Sequence, residues 1–436
     1  MADFARSENR AVQDQLDRLA KLSPGGDRLG LDRIRQLLDR LGRPQDRLPP
    51  IFHVAGTNGK GSTCAFLRSA LEAADLKVHM FTSPHLVRFN ERIRIAGKLI
   101  EDEELAKLLE EVLDSSADIE ASFFEVATAV AFLAFARTPA DACILEVGLG
   151  GRLDATNIVE RPLVCGIAGL GIDHKQWLGR TITDIAGEKA VIAKPGVPLV
   201  TQRYVPAAAQ QVMRAAEAVG APWIGRGALW DSRVIRGHIH YRDRSGALNL
   251  PLPGLPGRHQ AENAALAIAM LRHQDRIMIP EEAMAEGIRA ATWPARLQRL
   301  GPGPLLRRLP KRSELWLDGG HNASAARLVA DHLRRSFAGD LPLVLIFASL
   351  VTKDPRAMLK PFRGLASEVH CVPIADHECR PPEKLCALAA ELGFSSTAND
   401  SLGQALDRIS APSRALIFGS LYLAGEALKA NGEIPD

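Results

Sequence analysis

The segment whose residues most clearly indicate a chemical role is Gly56–Ser62, which reads Gly-Thr-Asn-Gly-Lys-Gly-Ser. It follows an apolar run typical of a strand, Ile51–Val54, and precedes a helix predicted over 62–74. In that setting backbone N–H groups and the helix N-terminus can cradle anionic oxygens, and Lys60 adds a positive charge. The common phosphate-loop pattern would need a glycine where Val54 stands. The segment therefore predicts a shortened phosphate loop, and the alternative is an ordinary glycine-rich turn.

Three further predicted strands end in residues that could bind a charged ligand. Parallel strands of a doubly wound sheet bring their carboxyl ends to one edge, where ligands bind. Mg²⁺ prefers oxygen ligands at such places, together with nucleotide phosphates. Each residue alone is equally typical of a turn or a solvated strand end, but together they predict a phosphate and metal site. They are Ser83 after Lys77–Phe81, Glu146 within Ala142–Val147, and Asp173 and His174 after Leu163–Ala168.

The elements that would position these residues alternate between strand and helix, which predicts a mostly parallel sheet covered by helices. A polar, broken pattern over 229–250 predicts a small hairpin insertion. Proline and glycine between Trp293 and Pro304 mark a boundary, after which the alternation resumes. The prediction is an α/β protein with two domains. A P-loop-type, mostly parallel sheet domain occupies 1–295, and a smaller Rossmann-like C-terminal domain occupies 297–436.

Composition narrows the class of protein. The chain has 436 residues, a net charge of +3 and 46% hydrophobic residues, as expected of a globular protein that binds neither nucleic acid nor membrane. The first residues contain no apolar run of the kind found in secretory signals, so the sequence predicts no such signal. The six cysteines form no C-x-x-C pair, and Cys64, Cys143 and Cys165 lie in apolar surroundings typical of buried thiols. We therefore expect a cytoplasmic protein.

Five motifs carry a resemblance to a known family. They are Val54–Ser62, Ser83–Leu86, Glu91–Ile93, Leu145–Asn157 and Gly419–Leu423. In type and order they resemble the dihydrofolate synthase/folylpolyglutamate synthase family of the Mur ligase superfamily. The resemblance extends from about residue 30 to residue 426, and the block from Glu146 to Asn157 is its most specific part.

The resemblance implies an ATP-dependent amide ligase that acts as a monomer. ATP would phosphorylate a substrate carboxylate, and the amino group of L-glutamate would then attack the acyl phosphate. The substrate would be dihydropteroate, giving dihydrofolate, or a reduced folate, giving polyglutamates. The implied cofactors are ATP, two Mg²⁺ ions and a carbamylated lysine at Lys189, a residue that spacing alone would assign to the exposed surface. ATP would lie between the two domains.

The resemblance also implies individual roles. Lys60, Lys189 and His321 would be catalytic. The nucleotide would be bound by Thr57, Asn58, Gly59, Lys60, Gly61, Ser62, Asn263, Arg296 and Asp318. The metal ions would be held by Ser83, Glu146, His174 and Lys189. The pterin substrate would be bound by Gly30, Leu31, Asp32, Ser122, Phe123, Phe124, Glu125 and Asp154, although Phe123 and Phe124 are equally typical of a hydrophobic core.

Two alternatives stay open beside the bifunctional enzyme. One is a folylpolyglutamate synthase alone, and another is an ATP-binding module without ligase activity. A cell-wall Mur ligase is disfavoured, because those enzymes carry a separate domain before a loop that here begins at residue 56. The chain departs from the family pattern at Val191 and Ala295, where glycine is usual, at Gly320, where alanine is usual, and in the segment Gly169–Ile172.

Overall fold

The structure is a computed structural model, and it describes residues 5–22, 29–336 and 341–436. Two compact units divide the chain. The first contains the described residues up to Gly254, together with His259–Thr292 and Asp436. The second contains Leu255–Arg258 and the described residues of Trp293–Pro435. The predicted domain limits, 1–295 and 297–436, stay a prediction.

The first unit is built from strands and helices in alternation. Its strands are β1 (Ile51–Ala55), β2 (Val78–Phe81), β3 (Ile93–Ile95), β4 (Lys98–Leu99), β5 (Ala142–Glu146), β6 (Val164–Ile167), β7 (Leu199–Thr201), β8 (Trp223–Gly225), β9 (Trp230–Ile235), β10 (His238–Asp243) and β11 (Gly246–Pro251). Its helices are α1 (Arg10–Leu22), α2 (Asp32–Arg40), α3 (Lys60–Glu72), α4 (Asp102–Ser115), α5 (Phe123–Arg137), α6 (Lys175–Leu178), α7 (Ile182–Ala190), α8 (Pro206–Val219), α9 (Arg258–Arg272) and α10 (Glu281–Ala290).

The first eight strands form one sheet in the described part of the unit, in the order β4-β3-β2-β5-β1-β6-β7-β8. From β2 to β8 the neighbouring strands are parallel, and β3 and β4 extend the edge in antiparallel fashion. The parallel strands are almost entirely buried, as expected of a sheet covered on both faces. This confirms the predicted α/β class and the mostly parallel sheet.

Helices cover both faces of this large sheet. On one face Ile51 and Ala55 belong to hydrophobic clusters with residues of α5 and α8. On the other face Gly166 of β6 leaves space for Met270 of α9, because a Cβ at that glycine would lie 2.8 Å from the methionine methyl carbon. Cys64, Cys143 and Cys165 are buried, as their surroundings in the sequence predicted. The sheet is therefore a rigid central layer whose carboxyl edge is left to the connecting loops.

Strands β9–β11 form a small antiparallel sheet in the order β11-β10-β9. The predicted hairpin would have two strands, and the structure has three. The third strand could not be recognised in the polar, broken pattern that starts at residue 229. The buried residues of this sheet alternate with exposed ones, as with Ile239 and Tyr241 of β10. Arg272 at the end of α9 makes two hydrogen bonds of 2.7 and 2.8 Å to the buried Asp243 carboxylate. This ion pair fixes the small sheet to α9.

The second unit is a smaller α/β layer structure. Its strands are β12 (Gln298–Arg299), β13 (Glu314–Asp318), β14 (Leu343–Phe347), β15 (Ala366–Cys371), β16 (Ser395–Ala398) and β17 (Arg414–Phe418). Its helices are α11 (Ala323–Ser336), α12 (Pro355–Leu359), α13 (Pro382–Glu391), α14 (Leu402–Asp407) and α15 (Leu421–Asn431). Within the described residues the strand order is β12-β13-β17-β14-β15-β16, parallel except at β12. No helix in the described ranges is long and apolar enough to cross a membrane.

Helices α3 and α10 approach so closely at Gly287 that a side chain there would meet the backbone of Ala70. We expect Gly287→Ala to lower the free energy of unfolding by about 1–3 kcal/mol, because the added methyl group must push the helices apart. Alanine is otherwise the better helix former by roughly 1 kcal/mol, so the sign of the change tests the packing. Urea unfolding of the variant and the wild type measures this difference in the free energy of unfolding.

The matched control is Gly301→Ala, where the nearest atom to an added Cβ is a Glu433 carboxylate oxygen 3.7 Å away. This variant should unfold within about 0.5 kcal/mol of the wild type. A Gly287→Ala protein as stable as the control would contradict the close approach.

Candidate functional site

The Gly56–Ser62 loop joins β1 to α3 and is tied to the loop after β6. The N–H groups of Thr57 and Asn58 donate to the Gly169 carbonyl at 2.8 and 3.1 Å. The Thr57 hydroxyl donates to the Gly171 carbonyl at 3.0 Å. Gly59 caps α3 with φ +86°, in the left-handed region that favours glycine. The loop therefore has the strand–turn–helix setting that the sequence predicted, and α3 begins two residues earlier than expected.

Glu146 ends β5 directly beside this loop, because Val54 of β1 pairs with it in the sheet. Its carboxylate lies 3.8 Å from the Lys60 ammonium, and both side chains are largely buried. The Ser83 N–H, in the loop after β2, points to the other carboxylate oxygen at 3.4 Å. The carboxyl ends of β1, β2 and β5 thus bring Lys60, Ser83 and Glu146 together.

The donor set at this edge fits a hard divalent cation. Ser62 is 1% exposed, and its hydroxyl oxygen has no hydrogen-bond partner within the described residues. A buried hydroxyl of this kind costs free energy unless it binds a ligand, and Ser62 stands two residues after Lys60 in the first turn of α3. Hydroxyl, carboxylate and phosphate oxygens are the ligands that Mg²⁺ prefers. The His174 ring lies 4.0 Å from the Asp173 carboxylate.

Lys189 is buried, contrary to what its spacing in the sequence suggests, with 4% of its surface exposed. It lies in the last turn of α7, where a Cβ at Gly151 would be 2.8 Å from the Glu188 carbonyl oxygen and 3.0 Å from that of Lys189. The glycine therefore lets the loop after β5 approach this helix end. Burial first, and then repulsion by Lys60, lowers the pKa of Lys189 to about 7. Asp154, Asp173 and Glu188 act in the opposite direction.

The Asp154 carboxylate is turned onto its own loop. It accepts the Leu149 N–H at 2.8 Å, the Thr156 N–H at 3.0 Å and the Thr156 hydroxyl at 2.5 Å. Burial raises the pKa of Asp154, and these hydrogen bonds oppose the shift. A residue predicted to bind substrate is thus also the group that shapes the loop after β5.

The predicted substrate segment around α5 has structural contacts of its own. Ser122 caps α5, and the Glu125 carboxylate accepts the Ser122 N–H at 2.7 Å and the Arg33 guanidinium at 3.1 Å. The second oxygen of Glu125, Oε1, is buried with no hydrogen-bond partner among the described residues. Phe123 packs in the core. Phe124 lies against Gly148, where a Cβ would be 2.5 Å from the ring.

Residues 30–32 stand next to this segment at the start of α2. Leu31 packs against the same hydrophobic cluster as α5. Asp32 is the first residue of α2, and 92% of its side chain is exposed. An Arg33–Glu125 ion pair joins α2 to α5.

Asn263 reaches the phosphate loop from α9, so closely that a side chain at Gly59 would collide with it. Its amide nitrogen donates to the Gln260 side-chain oxygen at 3.0 Å. Gln260 is fully buried and was missed by the sequence analysis, although its position three residues before Asn263 on a helix indicates contact.

Glu91, which the sequence analysis placed in a family motif without a role, accepts the N–H groups of Leu86, Val87 and Arg88 at 2.7–2.8 Å. It thereby shapes the loop that carries Ser83.

In the second unit, Asp318 ends β13 and accepts the N–H groups of Leu297 and Gly320 at 2.9 and 2.8 Å. Burial raises the pKa of Asp318, and the nearby Arg296 and His321 lower it. Arg296 donates to the Ala295 carbonyl at 2.9 Å. The three predicted residues of this unit, Arg296, Asp318 and His321, are therefore neighbours, and their predicted roles stay predictions.

Comparison with known proteins gives full-length relatives. No protein-family model matches the chain. It is 38% identical over 363 residues to the dihydrofolate synthase/folylpolyglutamate synthase of Bacillus subtilis, covering 79% of this chain and 81% of the relative. The structure of Escherichia coli FolC in complex with DHPP and ADP superposes with a TM-score of 0.86 and 31% identity over 96% of this chain and 97% of that chain.

A bifunctional folylpolyglutamate synthase/dihydrofolate synthase with Mn, AMPPNP and L-glutamate bound superposes with a TM-score of 0.84 and 30% identity. The match covers 97% of this chain and 99% of that one. The likeness therefore includes both units.

The buried amine of Lys189 makes the stability of the protein depend on pH. Its folded-state pKa of about 7 lies below the ordinary value of 10.5, so between these values the unfolded chain binds more protons. In CO₂-free buffer this group makes the free energy of unfolding rise with pH across that window, and its full penalty is present below pH 7. We expect Lys189→Met to lack this contribution, as urea unfolding at several pH values would measure.

The comparison is made against Lys98→Met, which removes an exposed lysine. The stability of Lys189→Met relative to this control should be greatest at the acid end of the window and fall as pH rises. Two curves that run parallel would show that the Lys189 pKa is ordinary.

Proposed function

The chain belongs to the dihydrofolate synthase/folylpolyglutamate synthase family, and from that premise we propose that it is a bifunctional, ATP-dependent ligase. It joins L-glutamate to dihydropteroate, forming dihydrofolate, and to reduced folates, forming polyglutamates. The observation that carries the proposal is the Lys60–Glu146 pair beside a phosphate loop, 3.8 Å apart and largely buried, on a chain that aligns with such synthases over nearly its whole length.

The reaction has two steps. A carboxylate oxygen of the pterin substrate attacks the γ-phosphorus of ATP, which releases ADP and leaves an acyl phosphate. The amino nitrogen of glutamate then attacks the acyl carbon, the C–O bond to phosphate breaks, and the amine loses a proton as the amide forms. Both steps bring anions together, so fixed positive charge must be aimed at the transferring group.

Lys60 supplies that charge. Its ammonium stands at the start of α3 and donates a hydrogen bond of 3.3 Å to the Gly56 carbonyl, which keeps it over the loop. The Ser62 hydroxyl, the Ser83 side chain and the Glu146 carboxylate would hold one Mg²⁺, with His174 and Lys189 as ligands for a second. When bound, Mg²⁺ neutralises phosphate charge and polarises the transferring phosphoryl group. Asn263 of α9 bounds the same loop and serves the adenine side.

Carbamylation of Lys189 gives this lysine a reason to be buried. A neutral amine adds to CO₂ and releases a proton, and a pKa of about 7 leaves a substantial neutral fraction at neutral pH. The product is an anion, which can ligate a cation where an ammonium cannot. Nearby Lys60 disfavours the ammonium and favours the carbamate through its positive charge.

Support for a pterin substrate comes from the start of α5. The unpaired Oε1 of Glu125 is a buried acceptor suited to the N–H groups of a flat heterocycle, and Phe124 offers an aromatic face beside it. Arg296, Asp318 and His321 of the second unit are assigned to the nucleotide and to catalysis by the family resemblance. We also propose that the protein is a monomer of the cytoplasm, a reducing compartment that suits its six free cysteines.

The proposal is tested by product formation followed by mass spectrometry. Purified protein with ATP, Mg²⁺, bicarbonate and glutamate receives dihydropteroate in one reaction and a reduced folate in the other. We expect product in both, and at least a 100-fold loss in folded Glu146→Ala and Lys60→Ala variants, since each removes a charge that acts on the transferring phosphoryl group. Glu103→Ala removes an exposed acid and should retain full activity.

The other outcomes identify the alternatives. Product with the folate alone would make the protein a folylpolyglutamate synthase. ATP binding without product in either reaction would make it a binding module. Turnover retained in Glu146→Ala would remove Glu146 from the metal site.

Carbamylation has its own test. We expect ¹³C-bicarbonate to give a carbamate resonance in the wild-type protein that is absent from Lys189→Met, and depletion of CO₂ to lower the turnover of the wild type. An active enzyme whose intact mass and spectrum show unmodified Lys189 would contradict the assignment.

A further inference from the structure

Three buried polar side chains form a line beneath the loop after β5. The Nε2 atom of His53, in the middle of β1, lies 2.9 Å from the Thr156 hydroxyl. That hydroxyl lies 2.5 Å from Asp154 Oδ1. His53 and Thr156 are fully buried, and Asp154 is 3% exposed. The proposed function uses Asp154 alone of these three.

The direction of the hydrogen bonds follows from the inventory of protons. The Asp154 carboxylate only accepts, so the single Thr156 hydroxyl proton is donated to it. The Thr156 oxygen then accepts from His53, which must carry its proton on Nε2. Burial lowers the pKa of His53 to about 3, so the ring is neutral and has one proton to place. Its Nδ1 has no hydrogen-bond partner among the described residues, which agrees with a proton on the other nitrogen.

This line ends on the loop after β5, which lies between Phe124 and the end of α7 that carries Lys189. Asp154 holds both ends of the loop, by accepting the N–H groups of Leu149 and Thr156. Gly148, next to Leu149, lies against the Phe124 ring, and Gly151, between Leu149 and Thr156, lies against the Glu188 and Lys189 carbonyls. A loop so closely packed cannot shift without moving away from Phe124.

We propose that His53 is a positioning residue for the pterin substrate, acting through the Thr156 hydroxyl and the Asp154 carboxylate to hold the Gly148–Asp154 loop against Phe124. The inference rests on the proposed function, which places the substrate at Phe124 and Asp154. His53 itself, on a strand inside the sheet, touches neither substrate nor nucleotide.

The nucleotide side of the site should be insensitive to this line. The phosphate loop has separate anchors, namely the Gly169 carbonyl, which accepts two of its N–H groups, and the Gly171 carbonyl, which accepts the Thr57 hydroxyl. Loss of the Thr156 hydroxyl should therefore change the KM for the pterin substrate and leave that for ATP unchanged. A general loss of stability would not produce this difference.

The experiment compares Thr156→Val, which keeps the shape and removes the hydroxyl, with Thr156→Ser, which keeps the hydroxyl. His53→Leu and His53→Gln form the second pair, since a glutamine amide can donate from about the position of Nε2. We expect Thr156→Val and His53→Leu each to raise the KM for dihydropteroate about tenfold, with the KM for ATP and glutamate within about twofold of wild type. Thr156→Ser and His53→Gln should restore most of the difference.

The double variant His53→Leu/Thr156→Val should be no worse than Thr156→Val alone, because both changes break the same line. Additive losses, an equal rise in the KM for ATP, or no rise in either valine or leucine variant would overturn the inference. The Asp154→Asn variant separates a failure of this inference from a failure of the proposed substrate site. If it raises the KM for dihydropteroate and Thr156→Val does not, the inference alone fails. If the wild type forms no product, the proposed function fails and the inference falls with it.

Discussion

The candidate site depends above all on balancing charges that are buried together at the carboxyl edge of the large sheet. Lys60 and Glu146 stand 3.8 Å apart, and Lys189 lies within the field of Lys60 and of three carboxylates. A buried charge without a partner is costly, and Asp154, Asp173 and Glu188 supply negative charge near Lys189. The strand order β2-β5-β1-β6 brings the loops that carry these charges to one edge.

Much of the fold could be predicted because its main strands are short, largely apolar runs, such as Ala142–Leu145, which precedes Glu146 and a glycine-rich turn. The antiparallel edge at β3 and β4 could not, because five residues of mixed polarity carry no clear period. Polar residues at strand ends identified Glu146 and Ser83, since strand direction alone brings them to one edge. The burial of Lys189 and the partners of His53 were beyond the sequence, because they depend on contacts between segments far apart along the chain.

The departures from the family pattern have physical explanations. Val191 follows α7 with φ −69°, an ordinary conformation that needs no glycine. Gly320 is required, because a Cβ there would lie 2.6 Å from the Phe418 ring. Ala295 does have a positive φ of 55°, so alanine occupies a conformation that glycine would adopt more easily. The sequence showed where these differences lie, and only the backbone showed which of them matter.

Helix α9 has a mechanical consequence for the small sheet. Near one end of α9, Asn263 contacts Gly59 of the phosphate loop, and at the other end Arg272 forms an ion pair with Asp243. Nine residues of helix make a stiff rod of roughly 14 Å between these points. Through α9, the small sheet therefore helps to hold the phosphate loop in position. A related protein that lost this sheet would need another contact to fix the far end of α9.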